Sequence, residues 1–253
     1  MTDPLEILNP NGKGRVVLLC EHASSTIPEA YDELGLAEKD RLSHAVWDPG
    51  AREVTLALSA ALDAPAILLR VSRLVYDCNR PPDAPSAIPE RSELIEVPGN
   101  QNLDQSQRDA RIQSVYEPFC AAVSGVLEAR NNDPVVVTIH SFMPIYYGVK
   151  RAVEIGLLHD EDSRLADAML ARKTLLSHRR VERNEPYGPG DGVTHSLRLH
   201  AQSRGLANVM IEVRNDLMRS PEDVAEITEE LLTLLQPAIK EIAHLEELSW
   251  AER

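Results

Sequence analysis

Two apolar runs of this sequence stop abruptly at a histidine, and a third is interrupted by a glutamate. His22 follows the run at 16–20, and His140 follows the run at 135–139. Glu212 stands inside a third run, where a buried strand is expected to be apolar. Nearly continuous apolar runs are typical of parallel strands covered on both faces, and α/β proteins bind ligands at the carboxyl edge of such strands. The sequence therefore predicts an α/β fold with a site built on three strands.

The rest of the chain alternates short apolar runs with helical stretches. Ser220 and Pro221 are predicted to begin the last helix, as its cap and first-turn residue. The alternation predicts a single-domain, three-layer α/β sandwich with a mixed, mostly parallel central sheet. The domain is expected to span residues 1–253, with a core of about 15–235. Strands are predicted at 15–21, 65–72, 134–140, 153–158 and 207–213, and helices within 38–62 (one or two, interrupted or started near Pro49), 104–130, 161–175 and 221–248.

Two irregular segments separate these elements. Residues 80–103 contain five prolines, and residues 184–194 are rich in glycine and proline. Neither segment suits the interior of a helix or sheet. Loops of this length often cover a functional site in a compact domain, although ordinary surface excursions are the alternative.

Composition excludes several classes of function. The net charge is −14, which disfavours nucleic-acid binding because phosphate contacts need clustered Lys and Arg. No apolar run approaches the roughly 20 residues that span a bilayer, and no signal peptide is visible, so no membrane partner is expected. Three widely spaced cysteines suggest reduced thiols in a cytoplasmic protein. The expected assembly is a monomer or a small homo-oligomer.

The strand-end histidines suggest a metal site. Catalytic zinc takes three protein ligands, commonly His and carboxylate, and keeps a position for water. His22 and His140 are two candidates, and Asp48 is the preferred third, with His44 and Glu21 ranked behind it. Asp48 could instead cap a helix that starts at the following proline, and both roles can coexist.

An arginine-rich segment after the second predicted strand suggests a site for an anionic substrate. Arg80 and Asn79 are predicted to clamp a carboxylate, because a guanidinium binds carboxylates bidentately and an amide adds a directional donor. Arg73 and Arg214 are possible second contacts. A surface salt bridge is the alternative for each arginine, and Asp77 is a possible partner that orients Arg80.

Glu212 is costly to bury unless it is paired or functional. We expect it to act as a general base, and an internal ion pair with Arg214 is the alternative. The second irregular segment could complete the pocket with Tyr187, Thr194 and His195.

Five sequence blocks together resemble the N-formylglutamate amidohydrolase family, and the resemblance covers roughly residues 15–235. The family is similar in fold to the zinc carboxypeptidases and to aspartoacylase. The resemblance implies zinc on His22 and His140, Glu212 as base and proton shuttle, and Asn79 and Arg80 on a substrate carboxylate. The blocks are Cys-Glu-His-Ala-Ser at 20–24, His-x-x-x-Asp-Pro-Gly-Ala at 44–51, Ser-Arg-Leu-Val-x-Asp-x-Asn-Arg-Pro at 72–81, His-Ser-Phe-x-Pro at 140–144 and Ile-Glu-Val-Arg-x-Asp-Leu at 211–217.

The chain also departs from its relatives. Zinc carboxypeptidases take a histidine and a glutamate from one His-x-x-Glu motif, whereas Ser25 stands three residues after His22 here. The carboxylate ligand must therefore come from elsewhere, and Asp48 is the choice. The formylglutamate deformylases of histidine breakdown carry a histidine where Asp48 lies, so the chain resembles a broader branch of the family.

The expected function is zinc-dependent hydrolysis of the amide bond of a small anionic N-acyl amino acid, with N-formyl-L-glutamate as the leading candidate. One alternative is a carboxypeptidase-like metallopeptidase that acts on short peptides. The other is a metal-free binding protein for an acidic metabolite, which would use the arginines alone.

Overall fold

A seven-stranded sheet forms the centre of the protein. The computed structural model describes residues 3–130 and 133–251. The strand order is β1-β3-β2-β6-β11-β9-β10, and β4–β5 and β7–β8 are small hairpins outside this sheet. The strands are β1 (Leu5–Leu8), β2 (Val16–Cys20), β3 (Ala66–Leu69), β4 (Arg91–Ser92), β5 (Ile95–Glu96), β6 (Val135–Phe142), β7 (Ile145–Tyr146), β8 (Val149–Lys150), β9 (Ile155–Leu158), β10 (Val181–Arg183) and β11 (Asn208–Arg214).

Helices cover both faces of the sheet. The α-helices are α1 (Ala51–Ala61), α2 (Gln105–Arg111), α3 (Glu117–Glu128), α4 (Arg164–Leu170) and α5 (Pro221–Ala251). Short 3-10 turns lie at Glu29–Gly35, Glu38–Asp40, Pro85–Ala87, Pro98–Asn100, Lys173–Leu176, Pro189–Asp191, Gln202–Arg204 and Asn215–Leu217, and π-helical turns lie at Ile112–Tyr116 and Leu197–Ala201. Among the described residues, no helix is both long and apolar enough to cross a membrane.

The sheet is mixed and mostly parallel. Strands β3, β2, β6 and β11 run parallel to one another, whereas β1 is antiparallel to β3, and β9 is antiparallel to β11. The carboxyl ends of four central strands therefore meet at one edge. Glu212 on β11 is paired in register with His140 on β6. This register places the two residues side by side, at the same distance along their strands from that edge.

Each face of the sheet has its own apolar core, because alternate strand residues point to opposite faces. Leu18 and Ile139 face a core that includes Ile227 and Leu235 of α5. Leu19 on the neighbouring position faces a second core around α3. This arrangement confirms the predicted three-layer sandwich with a mixed, mostly parallel sheet.

The last helix begins as the sequence predicts. Pro221 is its first residue, and Ser220 forms a reciprocal cap with Asp223. The Asp223 N–H donates to Ser220 Oγ at 3.1 Å, and the Ser220 N–H donates to Asp223 Oδ2 at 3.0 Å. The helix continues to Ala251, beyond the predicted end at 248.

The stretch around Asp48 agrees with the prediction of a helix that starts near Pro49, but not with the alternative of an earlier helix in which His44 and Asp48, four residues apart, would share one face. Residues 41–50 form turns, so His44 and Asp48 do not share a helix face. Helix α1 starts after Gly50, whose φ of 85° lies in the left-handed region, and a Cβ there would come within 2.6 Å of Met218 Cβ. Because no side-chain cap is made at this helix start, the Asp48 carboxylate is free to face the strand ends.

The interruption of the 104–130 stretch also has a local cause. Asp104 caps α2 through a reciprocal contact with Gln107. Pro118 follows the π-helical turn Ile112–Tyr116 and lacks the N–H that would bond to Ser114 in a regular helix. The predicted single stretch is therefore α2, a π-helical turn and α3.

His200 is a buried residue of the π-helical turn Leu197–Ala201, and neither of its ring nitrogens has a hydrogen-bond partner among the described residues. Burial lowers the pKa of His200 to about 4. Its unfolded value is about 6.5, so the unfolded chain binds more protons between these values and stability falls as the pH drops from about 6.5 to about 4.

Replacing His200 with Phe should remove this sensitivity, because the phenyl ring cannot bind a proton. Between pH 7 and pH 5 the wild-type chain should lose about 2 kcal/mol more unfolding free energy than His200→Phe. Urea unfolding at the two pH values measures the difference. An identical pH dependence for both proteins would contradict this account.

Candidate active site

A cavity of about 330 Å³ lies at the carboxyl ends of β2, β6 and β11. We call it the site cavity. Its walls combine strand-end residues with residues of the first irregular segment, including Ser86, Pro89 and Ser92. The polar lining residues are His22, His44, Asp48, Arg73, Asp77, Asn79, Arg80, Arg91, Glu93, His140, Ser141, Tyr146, Tyr187 and Glu212.

Three potential metal ligands converge at the base of the cavity. His140 Nδ1 lies 2.9 Å from Asp48 Oδ2 and 3.1 Å from His22 Nδ1. His22 Nδ1 lies 3.2 Å from the same Asp48 oxygen. A tetrahedral zinc ion with bonds of about 2.05 Å holds its ligand atoms about 3.3 Å apart. The triangle is therefore close in size to one face of such a site.

The far side of each ring is occupied by a carboxylate. His22 Nε2 lies 2.8 Å from Asp77 Oδ1, and His140 Nε2 lies 3.1 Å from Glu21 Oε2. These carboxylate contacts suit rings that carry their proton on Nε2. In neutral rings with the proton on Nε2, both Nδ1 atoms would present a lone pair to a cation held beside the Asp48 carboxylate. Three converging acceptors favour a bound cation, and metal-bound histidines commonly have such carboxylate partners.

The charges around the triangle point the same way. Glu21 and Asp48 are 0% and 1% exposed, and burying a carboxylate costs free energy unless a cation compensates it. Arg73 supplies one positive charge, 3.2 Å from Asp48 and 3.6 Å from Asp77. Although burial opposes the shift, Glu21 and Asp48 raise the pKa of His140 well above its ordinary value. The residues present therefore fit a divalent metal ion held by His22, Asp48 and His140.

The two lower-ranked ligand candidates lie outside this triangle. His44 Nε2 donates to the Ser141 carbonyl at 2.6 Å and lies 3.6 Å from Asp48 Oδ1. Its Nδ1 lies 3.4 Å from Glu93 on the β4–β5 hairpin. Glu21 contacts the outer nitrogen of His140. Asp48 is therefore the candidate whose carboxylate lies together with the Nδ1 atoms of His22 and His140.

Glu212 lines the cavity and forms no salt bridge with any described residue. Its Oε2 atom is buried and has no hydrogen-bond partner among the described residues. Burial raises the pKa of Glu212 to about 7; the nearby His140 opposes this shift and the Asp48 charge adds to it. A carboxyl with a pKa near neutrality is suited to take and return a proton.

Arg214 does not pair with Glu212. Its Nε donates to Asp216 at 2.7 Å, and its Nη2 donates to Glu154 at 3.4 Å. Arg214 does not line the site cavity. The structure therefore places this predicted substrate contact behind the site, and it leaves Glu212 without the predicted alternative partner.

Asn79 and Arg80 lie together in the cavity wall, but they are held differently. The Asn79 amide donates to the Val193 carbonyl at 2.6 Å and accepts from the Ser196 N–H at 3.0 Å. Arg80 Nη1 donates to the carbonyls of Asn79 at 2.8 Å and Gly192 at 3.0 Å. Asn79 thus joins the two irregular segments, and the remaining edge of Arg80 can contact a carboxylate.

The predicted residues of the second irregular segment separate in the structure. Tyr187 lines the cavity, whereas Thr194 donates to Asp160 and does not line it. His195 Nε2 lies 2.9 Å from the hydroxyl of Tyr116, also outside the cavity lining. Of the three, the structure brings only Tyr187 to the site.

Several lining residues carried no sequence signal. Glu93 reaches the site through the β4–β5 hairpin, and Tyr146 through the β7–β8 hairpin. Neither lies in an apolar run or a recognisable motif. Asp77 lies within the arginine-rich segment, but its contact with His22 depends on how β2 and the segment after β3 are placed in the fold. The strand-end pattern could have suggested such a partner for each histidine.

Comparisons with known proteins agree with this architecture. A family model described as N-formylglutamate amidohydrolase matches residues 14–219. No curated protein sequence matches the chain significantly. The match confirms the family resemblance that the sequence blocks suggested.

Two solved structures are similar over nearly the whole chain. Gene product Atu2144 from Agrobacterium tumefaciens is 52% identical, with a TM-score of 0.92, over 94% of this chain and 95% of that chain. The N-formylglutamate amidohydrolase from Ralstonia eutropha JMP134 is 18% identical, with a TM-score of 0.63, over 96% of this chain and 99% of that chain. At 18% identity, the similarity to the second structure shows a shared fold only.

The ligand triangle predicts which residues set metal affinity. Asp48→Asn should weaken zinc binding by more than about 100-fold, because it removes the charge of a direct ligand. Changing a residue that only contacts a ligand typically costs about 10–100-fold. Chelator competition at constant pH measures the affinity. His44→Gln serves as the control and should weaken binding by no more than about 10–100-fold, the usual cost of changing an outer-shell partner. The opposite ranking of the two variants would assign the third ligand to His44.

Proposed function

Because the chain belongs to the N-formylglutamate amidohydrolase family, we propose that it hydrolyses the amide bond of a small anionic N-acyl amino acid. N-formyl-L-glutamate is the leading substrate. The observation that carries the proposal is the triangle of His22, Asp48 and His140, with Glu212 in the same cavity. This set provides a metal site and a proton acceptor, which are the two parts that metal-assisted amide hydrolysis requires.

The proposed cofactor is one zinc ion. His22 and His140 would supply nitrogen ligands and Asp48 an oxygen ligand, which is a donor set typical of catalytic zinc. When bound, zinc supplies a Lewis acid for the acyl oxygen and lowers the pKa of water to about 7. Glu21 and Asp77 would hold the two imidazole rings in the required tautomer through their Nε2 contacts.

Glu212 is the proposed general base and proton shuttle. It takes a proton from the attacking water as the new C–O bond forms, and it returns the proton to the amine nitrogen as the C–N bond breaks. Its pKa of about 7 suits both transfers, since the group can bind and release a proton near neutral pH. The enclosed position of its free oxygen limits competing contacts with solvent.

Arg80 is the proposed anchor for the substrate carboxylate. Its guanidinium is oriented by two backbone carbonyls, and Asn79 positions the segment that carries it. Arg73 faces the cavity but is shared between Asp48 and Asp77, so we assign it to orienting the Asp48 ligand and the carboxylate that holds His22. Tyr187 completes the wall on the opposite irregular segment.

The first irregular segment supports a small substrate in preference to a peptide. Ser86, Pro89, Ser92 and Glu93 from this segment line the cavity, and Glu93 contacts His44 across it. A cavity of about 330 Å³ is at the lower end of the range for small-molecule sites. A carboxypeptidase-like enzyme would need an open cleft for the rest of its substrate.

Removing Glu212 as a base should abolish turnover without removing the metal. Glu212→Gln keeps the size of the side chain, and kcat for N-formyl-L-glutamate should fall by about 10²–10⁴-fold. Steady-state kinetics and metal analysis measure the two quantities. Glu226→Gln, on the exposed surface of α5, is the matched control. Near-normal kcat in Glu212→Gln would remove this residue from the base role.

Metal removal should separate an enzyme from a binding protein. Treatment with a chelator is expected to eliminate hydrolysis, and stoichiometric zinc should restore it, because the metal supplies the activation of water. Formate release from N-formyl-L-glutamate measures activity, and calorimetry measures binding of L-glutamate. Tight binding of the acidic ligand without any hydrolysis by the zinc-loaded protein would favour the metabolite binder.

A further inference from the structure

Arg151 lies among three aromatic rings beside the site cavity. Its guanidinium carbon is 4.3 Å from the centroid of Tyr146, 4.7 Å from that of Tyr187 and 5.5 Å from that of Phe142. The electron-rich face of an aromatic ring attracts a guanidinium. Contacts with rings from three chain segments fix the position of this cation.

The charge of Arg151 is not used in an ion pair of the described residues. Its backbone N–H donates to the Pro144 carbonyl at 2.8 Å, and its carbonyl accepts from Arg214 at 3.4 Å. The side chain instead donates from Nη1 to the hydroxyl oxygen of Tyr187 at 3.0 Å. The Arg151 guanidinium is therefore positioned by aromatic rings, and the main polar contact of its side chain is the Tyr187 hydroxyl.

Tyr187 lines the site cavity, and Arg151 does not. Since the phenol oxygen accepts the guanidinium N–H, its own O–H must point away from Arg151. Burial, together with the Glu212 charge, raises the pKa of Tyr187 to about 12, so the proton is kept at neutral pH. The structure thus has a polarised O–H donor among the lining residues of the cavity that also contains Glu212.

We propose that Tyr187 donates a hydrogen bond to the acyl oxygen of the substrate as negative charge develops there, with Arg151 as the positioning residue behind it. The assignment rests on the proposed amide hydrolysis in this cavity. A donor that faces developing charge in a water-poor site stabilises the transition state more than the bound substrate. A charged donor to its oxygen strengthens the phenol as a donor in turn.

The electron and proton movements are balanced without a net change in Tyr187. As water adds to the acyl carbon, a C–O bond forms, the carbonyl π pair moves onto the acyl oxygen, and Glu212 takes the water's proton. The acyl C=O then forms again as the C–N bond breaks, and the nitrogen takes that proton from Glu212. Tyr187 keeps its O–H bond throughout and contributes a hydrogen bond that strengthens with the charge.

Tyr187→Phe isolates this contribution, because it keeps the ring that Arg151 contacts and removes only the hydroxyl. In the zinc-loaded full-length chain, kcat for N-formyl-L-glutamate should fall by about 10²–10³-fold. KM and zinc affinity should stay within about 3-fold, because the donor acts on the transition state. A phosphonamidate analogue of the substrate, which has a tetrahedral anionic centre, should bind more weakly by a factor similar to the loss in kcat/KM, and L-glutamate should bind unchanged.

Arg151→Met tests the positioning role. It should lower kcat by about 10-fold alone, and the double variant with Tyr187→Phe should be no slower than Tyr187→Phe, because both changes act through one hydroxyl. Tyr147→Phe is the matched control: this side chain is 61% exposed on the β7–β8 hairpin, and its ring packs against Tyr146. Its kinetics should equal those of wild type.

Three results would overturn the assignment. A Tyr187→Phe enzyme with kcat within about 3-fold of wild type would remove the hydroxyl from the chemistry. A change confined to KM would place it in ground-state binding. If Arg151→Met lowers kcat by the same factor in the Tyr187→Phe background as in wild type, Arg151 does not act through the Tyr187 hydroxyl. Absence of N-acyl amino acid hydrolysis in the wild-type chain would overturn the proposed function itself, and is thereby distinguishable from these outcomes.

Discussion

Four carboxylates lie buried at one edge of the sheet, and the compensation of their charge organises the rest of the site. Glu21, Asp48, Asp77 and Glu212 are each at most 5% exposed. Unpaired charge at such positions would destabilise the fold, so each carboxylate needs a nearby cation or a bound proton. Arg73 and the two histidines contact three of them, whereas Glu212 responds with a raised pKa. A divalent metal ion is the cation that this excess of acceptors fits.

The topology explains how residues so distant in sequence meet. Parallel strands β2, β6 and β11 end at the same edge, where Glu21 and His22 follow β2, His140 and Ser141 lie on β6, and Glu212 lies on β11. The segment after β3 begins at that edge too, and it brings Arg73, Asp77 and Arg80 to the same cavity. Because the strands are fixed by two apolar cores, the ligand atoms are positioned by the most buried part of the molecule.

The sequence predicted the parts of this site that rest on strands. An apolar run that stops at His22 or His140 predicts both a buried strand and the point where that strand ends. The two histidines could therefore be assigned to the edge of the sheet from the sequence alone. The short strands β1 and β10 were missed, since each is a brief run without strong alternation. The sequence left open whether a helix precedes Pro49, because spacing alone cannot show that Asp48 contacts β6. Arg151 and Glu93 carried no signal at all, because their roles depend on which ring or hairpin lies opposite in three dimensions.

The hydrogen bonds of the Asn79 amide restrict where insertions and deletions can be tolerated. Asn79 immediately precedes the proline-rich segment, and its bonds to Val193 and Ser196 connect it to the end of the glycine-rich segment, 114 and 117 residues further along the chain. These two hydrogen bonds therefore join the two segments beside the cavity. An insertion in either segment would have to preserve the span between Asn79 and the 193–196 backbone, so changes of length in relatives should occur together in both segments or at points beyond this junction.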